Sequence, residues 1–122
     1  MRPITWFVDI DGTLIKHEGC GLRGQLDSDI TMLPGTHEFL DECQRRGDVV
    51  ILATGRKENM RAETVAQLRR LNIFYDQLVM GCTPGPRVII NDGDFRAEGI
   101  CVVRNQGLES CHGQISQIVE RR

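Results

Sequence analysis

The length of 122 residues fits one compact domain, so we expect a single domain over residues 1–122 with one active centre. A hydrophobic fraction of 40% and a charged fraction of 26% are ordinary for a globular protein and exclude a disordered chain. The net charge of -2 offers no basic field for nucleic acid, and no apolar run approaches the roughly 20 residues that cross a bilayer. We therefore predict an unprocessed cytoplasmic protein without nucleic-acid or membrane partners.

The cysteines are odd in number and form no CxxC pair, which predicts reduced thiols rather than a disulfide framework. They are Cys20, Cys43, Cys82, Cys101 and Cys111. One of them adjoins a histidine, at 111–112, but a second such pair at zinc spacing is lacking, so no zinc site is predicted.

The first half of the chain alternates between a strand pattern and a helix pattern. A short apolar run over 4–8 predicts a buried strand that ends at Asp9. The glycine-rich stretch 13–32 lacks periodicity and predicts a hairpin or flap followed by loop. Apolar residues at helical spacing then predict a helix over 35–46, with Gly47 as its C-cap.

The second half continues the alternation and decides the fold class. Apolar runs predict strands, and helical spacing or caps predict helices. The predicted strands are 49–53, 77–80, 88–90 and 100–103, and the predicted helices are 57–71 and 110–120. Strands that are apolar throughout and alternate with helices indicate an α/β, Rossmann-like, doubly wound and mainly parallel sheet with helices on both faces.

Residues that directly follow the strands carry the candidate chemistry, because ligands of open parallel sheets bind beyond the carboxyl ends of the strands. Asp9, Thr54 and Asp92 occupy such positions. Asp9 and Asp11 are two residues apart, so in an extended chain both carboxylates point to the same side. A hard divalent cation relieves their repulsion, and Mg²⁺ suits carboxylate and carbonyl oxygens. A lone DxDG sequence is equally compatible with a tight, exposed turn.

The phrase Phe-Val-Asp-Ile-Asp-Gly-Thr-Leu over 7–14 resembles the first motif of the haloacid dehalogenase superfamily. Candidates for the other motifs follow in order, and the resemblance extends over about 4–104. It implies that Asp9 is a nucleophile that forms an aspartyl-phosphate and that Asp11 is the general acid and base. It also implies that Thr54 hydrogen-bonds the phosphoryl group, and a role as a helix N-cap is compatible with the same position.

The same resemblance implies a Mg²⁺ site formed by Asp9, the backbone carbonyl of Asp11, and Asp92. Asp94 is a possible supporting ligand and is equally compatible with a turn. The sequence departs from the family at the third motif. Most members carry a lysine before the fourth strand, and this lysine neutralises the phosphate and the nucleophile.

Stretch 81–87 contains no lysine, so Arg87 is the predicted substitute, with Lys57 as the fallback and a plain strand-edge cation as the alternative. Gly55 and Arg56 are further candidates for phosphate binding. Arg56 either contacts the substrate or braces the acidic cluster, and a surface arginine at a helix start is equally compatible with its position.

The glycine pattern over 19–24 formally fits GxGxxG but lacks a preceding strand and a long following helix, so we predict no dinucleotide site there. The gaps after the first motif and between the second and third leave no room for an inserted cap domain. A capless member of this family suggests a phosphatase for a small sugar phosphate or related metabolite, as in capsule and lipopolysaccharide synthesis, and a homo-oligomer. The alternative, motivated by the missing lysine, is a catalytically inactive module that regulates or scaffolds a partner enzyme.

Overall fold

The structure is a computed structural model that describes residues 2–19, 21–26 and 29–122. The predictions that involve Cys20, and those for positions 27 and 28 of the flap, fall outside the described residues. The elements in chain order are β1 (Thr5–Val8), α1 (Gly21–Gln25), α2 (Thr36–Arg46), β2 (Val49–Ala53), a 3-10 turn (Glu58–Met60), α3 (Arg61–Arg70), β3 (Gln77–Val79), a 3-10 turn (Leu108–Cys111) and α4 (His112–Arg121).

The described strands form one parallel sheet in the order β1, β2, β3. Val8 pairs with Leu52, and Leu52 pairs with Leu78, so the carboxyl ends of all three strands lie at the same edge. Val50 and Leu52 are fully buried and alternate with half-buried neighbours, as expected for a strand with one face against the core. The predicted α/β, Rossmann-like fold class is confirmed.

Helix α2 forms where the sequence predicts it and ends at the predicted cap. Gly47 has a φ of 78° and donates its N–H to the carbonyls of Cys43 and Gln44, because only a residue that tolerates left-handed backbone closes a helix in this way. The buried side of α2 carries Phe39, Leu40 and Cys43, and Trp6 packs edge-on against Phe39 at 5.1 Å between ring centroids. Part of the core therefore lies between the sheet and this helix.

Asp48 joins the start of β1 to the start of β2. Its carboxylate accepts hydrogen bonds from the Ile4 N–H, Trp6 Nε1 and Arg46 Nε, each at 3.0 Å. Burial acts to raise the pKa of Asp48, but these three donors outweigh it and hold the pKa below its ordinary value. A buried carboxylate with three donors thus fixes the register of the two strands.

The predicted strands over 88–90 and 100–103 are wrong, since both segments lack strand pairing in the structure. Val88 is 77% exposed and Ile90 is 92% exposed, although Ile100 and Val102 contact the core. Apolar, β-branched composition raises strand propensity, but a strand also needs a partner backbone. Pro84 and Pro86 remove two backbone donors just upstream, and runs of three and four residues offer few hydrogen bonds to replace them.

Stretch 13–32, which was predicted as a hairpin or flap followed by loop, packs partly against the core. Leu14, Ile15 and Ile30 belong to the core, and Ile15 forms an isolated antiparallel bridge with Met32. Helix α1 inside this stretch was not predicted, because five residues are too few to show a periodic pattern. The described part of the GxGxxG pattern begins this short helix and not the long helix that a dinucleotide fingerprint requires.

Candidate active site

The loop after β1 is fixed by a tight turn over residues 10–15. The carbonyl of Ile10 accepts hydrogen bonds from the N–H groups of Thr13, Leu14 and Ile15 at 2.9 to 3.2 Å. Ile10, Leu14 and Ile15 are fully buried, and Gly12 has a φ of 87° that a residue with a side chain rarely adopts. Three buried side chains therefore anchor the loop that carries Asp9 and Asp11.

Asp9 and Asp11 meet at one small cavity of about 160 Å³ beyond the carboxyl end of β1. The cavity is lined by Asp9, Asp11, Gly12, Thr13, Val102 and Arg104. The structure thus brings together the two carboxylates that the sequence pattern pairs.

Arg87 faces Asp9 across this edge of the sheet. Its Nη1 lies 3.4 Å from Asp9 Oδ1 and donates at the same distance to the carbonyl of Ala53 at the end of β2. Burial raises the pKa of Asp9 above its ordinary value, while Arg87 acts in the opposite direction. Arg87 therefore lies where a cation can neutralise both Asp9 and a group bound to it.

Arg56 is buried and braces Asp11. Its Nε and Nη2 donate to the two carboxylate oxygens of Asp11 at 3.0 and 2.8 Å, a bidentate arrangement. Its Nη1 donates to Thr64 Oγ1 at 3.2 Å and to Gln67 Oε1 at 2.8 Å on α3. Of the alternatives for Arg56, a surface arginine is excluded, because only 3% of its side chain is exposed.

Thr54 follows β2 and is held in place by its backbone. Its N–H donates to Val79, its carbonyl accepts from Cys82, and its Oγ1 accepts from the Arg56 N–H at 3.1 Å. Thr54 is not a helix N-cap, because the next helical turn begins only at Glu58. Its hydroxyl keeps a proton that can be donated to a ligand.

Gly55 and Lys57 differ in how closely they approach other residues. A Cβ at Gly55 would lie 3.3 Å from the carbonyl of Cys82, so this glycine lets two backbone segments approach each other. Lys57 is exposed and makes no ion pair with any residue that the structure describes.

Asp92 is not brought to the cavity. It is exposed and its Oδ1 accepts the Asp94 N–H at 3.0 Å, which makes both residues part of a turn. Across residues 2–19, 21–26 and 29–122, no three His, Cys, Asp or Glu side chains come close enough to hold a metal ion. The lack of a strand over 88–90 explains this, because Asp92 was expected directly after that strand.

Arg104 is a cavity residue that the sequence reasoning did not select. It directly follows the predicted strand 100–103, so the rule that selected Asp9 and Thr54 applies to it as well. Thr64 and Gln67 were also missed, since helical periodicity weighs apolar positions and gives no weight to buried polar residues.

The sequence matches the family model of haloacid dehalogenase-like hydrolases over residues 6–82, more than half of its length. The chain belongs to this family. It therefore has a HAD-like fold. The matched region contains Asp9, Asp11, Thr54 and Arg56 and ends before Arg87, Asp92 and Arg104.

The solved structures that resemble the chain include the following two. A chain in the structure of the Pnkp1/Rnl/Hen1 complex is 26% identical, with a TM-score of 0.56, and the match covers 70% of this chain but only 30% of that one. A target protein from Vibrio cholerae is 19% identical, with a TM-score of 0.53 and coverage of 93% and 98%, and at this identity shows the fold alone. No curated protein matches the sequence. Among the described helices, none has the length and apolar character to cross a membrane.

Proposed function

We propose that this protein is a Mg²⁺-dependent phosphomonoester hydrolase that acts through an aspartyl-phosphate on Asp9. The observation that carries the proposal is the cavity shared by Asp9 and Asp11, with the guanidinium of Arg87 at 3.4 Å from Asp9. A carboxylate nucleophile, a second carboxylate for proton transfer and a cation for the phosphoryl oxygens are the groups that two-step phosphate transfer requires.

In the first step, a carboxylate oxygen of Asp9 attacks phosphorus, and the ester P–O bond breaks. The leaving oxygen takes a proton from Asp11, and in the second step Asp11 takes a proton from the water that attacks the aspartyl-phosphate. Arg56 binds both oxygens of Asp11, so one of these hydrogen bonds must open before Asp11 carries a proton. Arg87 and the Thr54 hydroxyl bind the phosphoryl oxygens, whose negative charge they stabilise.

The donors next to the cavity fit Mg²⁺ in part. This ion usually takes one or two carboxylates and completes its shell with water and substrate phosphate. The carboxylate of Asp9 and the carbonyl of Asp11 are suitable donors, whereas Asp92 joins them only if its turn moves towards β1. When bound, the ion neutralises negative charge on the carboxylates and the phosphate.

The test is hydrolysis of an aryl phosphate with and without Mg²⁺. We expect Mg²⁺-dependent release of phosphate that Asp9→Asn abolishes, because an amide is not a nucleophile at phosphorus. Asp41→Asn is the matched control, since Asp41 is an exposed aspartate on α2 that does not line the cavity. Activity that survives in Asp9→Asn contradicts the mechanism.

A non-catalytic module that regulates or scaffolds a partner enzyme is the second candidate. The exposed turn that holds Asp92 outside the cavity favours it. Lack of hydrolysis across a panel of sugar phosphates and aryl phosphate, in a protein that unfolds cooperatively, supports this candidate and refutes the first.

We propose a small sugar phosphate or related metabolite as the substrate, and a cytoplasmic, capless, single-domain protein that forms a homo-oligomer. The exposed cavity edge around Asp9 supports the capless arrangement, since its side chain keeps 38% exposure. A screen of phosphosugars and nucleotides tests the substrate class, and sedimentation tests the oligomer.

A further inference from the structure

Arg104 lines the same cavity as Asp9 and Asp11 but lies outside the region that the family model matches. The residue is exposed, so a ligand can reach its guanidinium from solvent. Arg104 is therefore an arginine, separate from Arg56 and Arg87, that can bind a group inside the cavity.

The backbone at Arg104 is fixed to the loop that carries the two carboxylates. The N–H of Asn105 donates to the carbonyl of Gly12 at 2.9 Å. The side chain of Asn105 accepts the His17 N–H at 2.7 Å and donates to the His17 carbonyl at 3.2 Å. The two bonds with His17 join residues 88 positions apart, so the backbone at Arg104 is fixed beside the loop that carries Asp9 and Asp11.

Gly12 makes room for this arginine. A Cβ at Gly12 would lie only 3.1 Å from Cγ of Arg104, closer than an ordinary van der Waals contact. The left-handed φ of 87° at Gly12 independently favours glycine. The close approach places the arginine stem directly over the turn that follows Asp9.

The two carboxylates at the cavity already have cationic partners, whereas Arg104 has no anionic partner among the described residues. Asp11 is paired with Arg56, and Asp9 is paired with Arg87. Within the described residues, Arg104 makes neither a side-chain hydrogen bond nor an ion pair. The cavity edge therefore carries one excess positive charge, and an unpaired guanidinium next to neutralised carboxylates attracts an anion.

We propose that Arg104 is a substrate-binding residue whose guanidinium binds an anionic oxygen of the phosphate ester in the cavity beside Asp9. The inference rests on the proposed phosphatase function for the identity of the ligand, while the anion site itself rests on the geometry above. Arg87 neutralises the nucleophile from the β2 side, and Arg104 holds the phosphate from the side of residues 12 and 13.

The direct test is titration of the metal-free protein with inorganic phosphate by calorimetry. We expect Arg104→Gln to weaken binding about tenfold or more, because a charge-assisted hydrogen bond is lost, and Arg104→Lys to restore part of it. Arg69→Gln removes the same charge from an exposed position on α3 and controls for net charge. Unfolding midpoints of all variants control for folding.

Kinetics with an aryl phosphate provide the second readout. Arg104→Gln should raise KM by a similar factor and change kcat less, as expected for a group that binds substrate in the ground state. Equal phosphate affinity in wild type and Arg104→Gln, or no phosphate binding by the wild type, overturns the proposal. If the wild type binds phosphate through Arg104 but Asp9→Asn shows that hydrolysis does not occur at Asp9, the phosphatase proposal fails and the anion site stands.

Discussion

Replacing Arg56 with methionine tests the buried network behind Asp11. The arginine side chain is 3% exposed and the Asp11 side chain 17% exposed, and the arginine donates to Asp11, Thr64 and Gln67 at 2.8 to 3.2 Å. Methionine keeps much of the volume and removes every donor. The carboxylate of Asp11 then loses its bidentate partner, and the two polar side chains on α3 lose theirs.

The expected loss of unfolding free energy follows from the polar groups that lose Arg56 as their hydrogen-bond donor. Removing one partner of a buried ion pair costs about 3–5 kcal/mol, and the partial exposure of Asp11 favours the lower end of that range. Against a total stability of about 5–15 kcal/mol, such a loss is large. Arg56→Lys should recover only part of it, since one ammonium group lacks the planar fork that reaches three partners.

Urea unfolding followed by circular dichroism measures these changes. Arg56→Met with Asp11→Asn completes a double-mutant cycle, in which we expect the two losses to be far from additive. Arg45→Met is the control, because Arg45 pairs with Glu42 on the exposed side of α2 and should change stability little. A loss below about 1 kcal/mol for Arg56→Met refutes the buried network, because a buried pair that is broken cannot cost so little.

Three further changes test the site and the core. Arg87→Gln should move the acidic limb of the kcat/KM profile to higher pH, because Arg87 lowers the pKa of Asp9 and Asp9 must be ionised to attack. Asp48→Asn should cost about 1–3 kcal/mol in urea unfolding near neutral pH. That difference should shrink as pH falls through the folded-state pKa of Asp48, which lies below its ordinary 3.8, since protonation removes the same interactions. Leu68→Ala, at a fully buried position, should cost about 2–5 kcal/mol in the same assay.

Each of these predictions has an outcome that contradicts it. An unchanged acidic limb in Arg87→Gln means that Arg87 does not act on Asp9 in solution. A stability difference between wild type and Asp48→Asn that persists undiminished in strong acid rules out the carboxylate as its source. A loss below about 1 kcal/mol for Leu68→Ala means that this side chain does not lie in a rigid core.

Elements whose signals are local were predicted from the sequence. The strand over 49–53 is a continuous apolar run, and the helix over 35–46 ends at a glycine that suits left-handed backbone. The pairing of Asp9 with Asp11 at one cavity also follows from two-residue spacing at a strand end. In these cases neighbours in sequence determine the outcome.

Features that depend on distant partners were not predicted. The runs over 88–90 and 100–103 have strand composition, but pairing with β1 is a property of the whole fold and does not occur here. The burial of Arg56 depends on Thr64 and Gln67 on α3, which turn two polar positions of that helix towards the interior. The backbone at Arg104 is held at the cavity by the bonds of Asn105 to Gly12 and His17, and these partners lie near the other end of the sequence.

The thiol on the buried side of α2 has a practical consequence. Cys43 is fully buried. Burial raises the pKa of its thiol to about 12, and the nearby Arg46 offsets this effect only in part. The thiol therefore stays protonated and shielded from solvent at neutral pH. Cys101 is exposed. An alkylating reagent will therefore label the latter on the native chain and the former only when α2 leaves the sheet. Mass spectrometry of the two peptides would time that opening without any introduced probe.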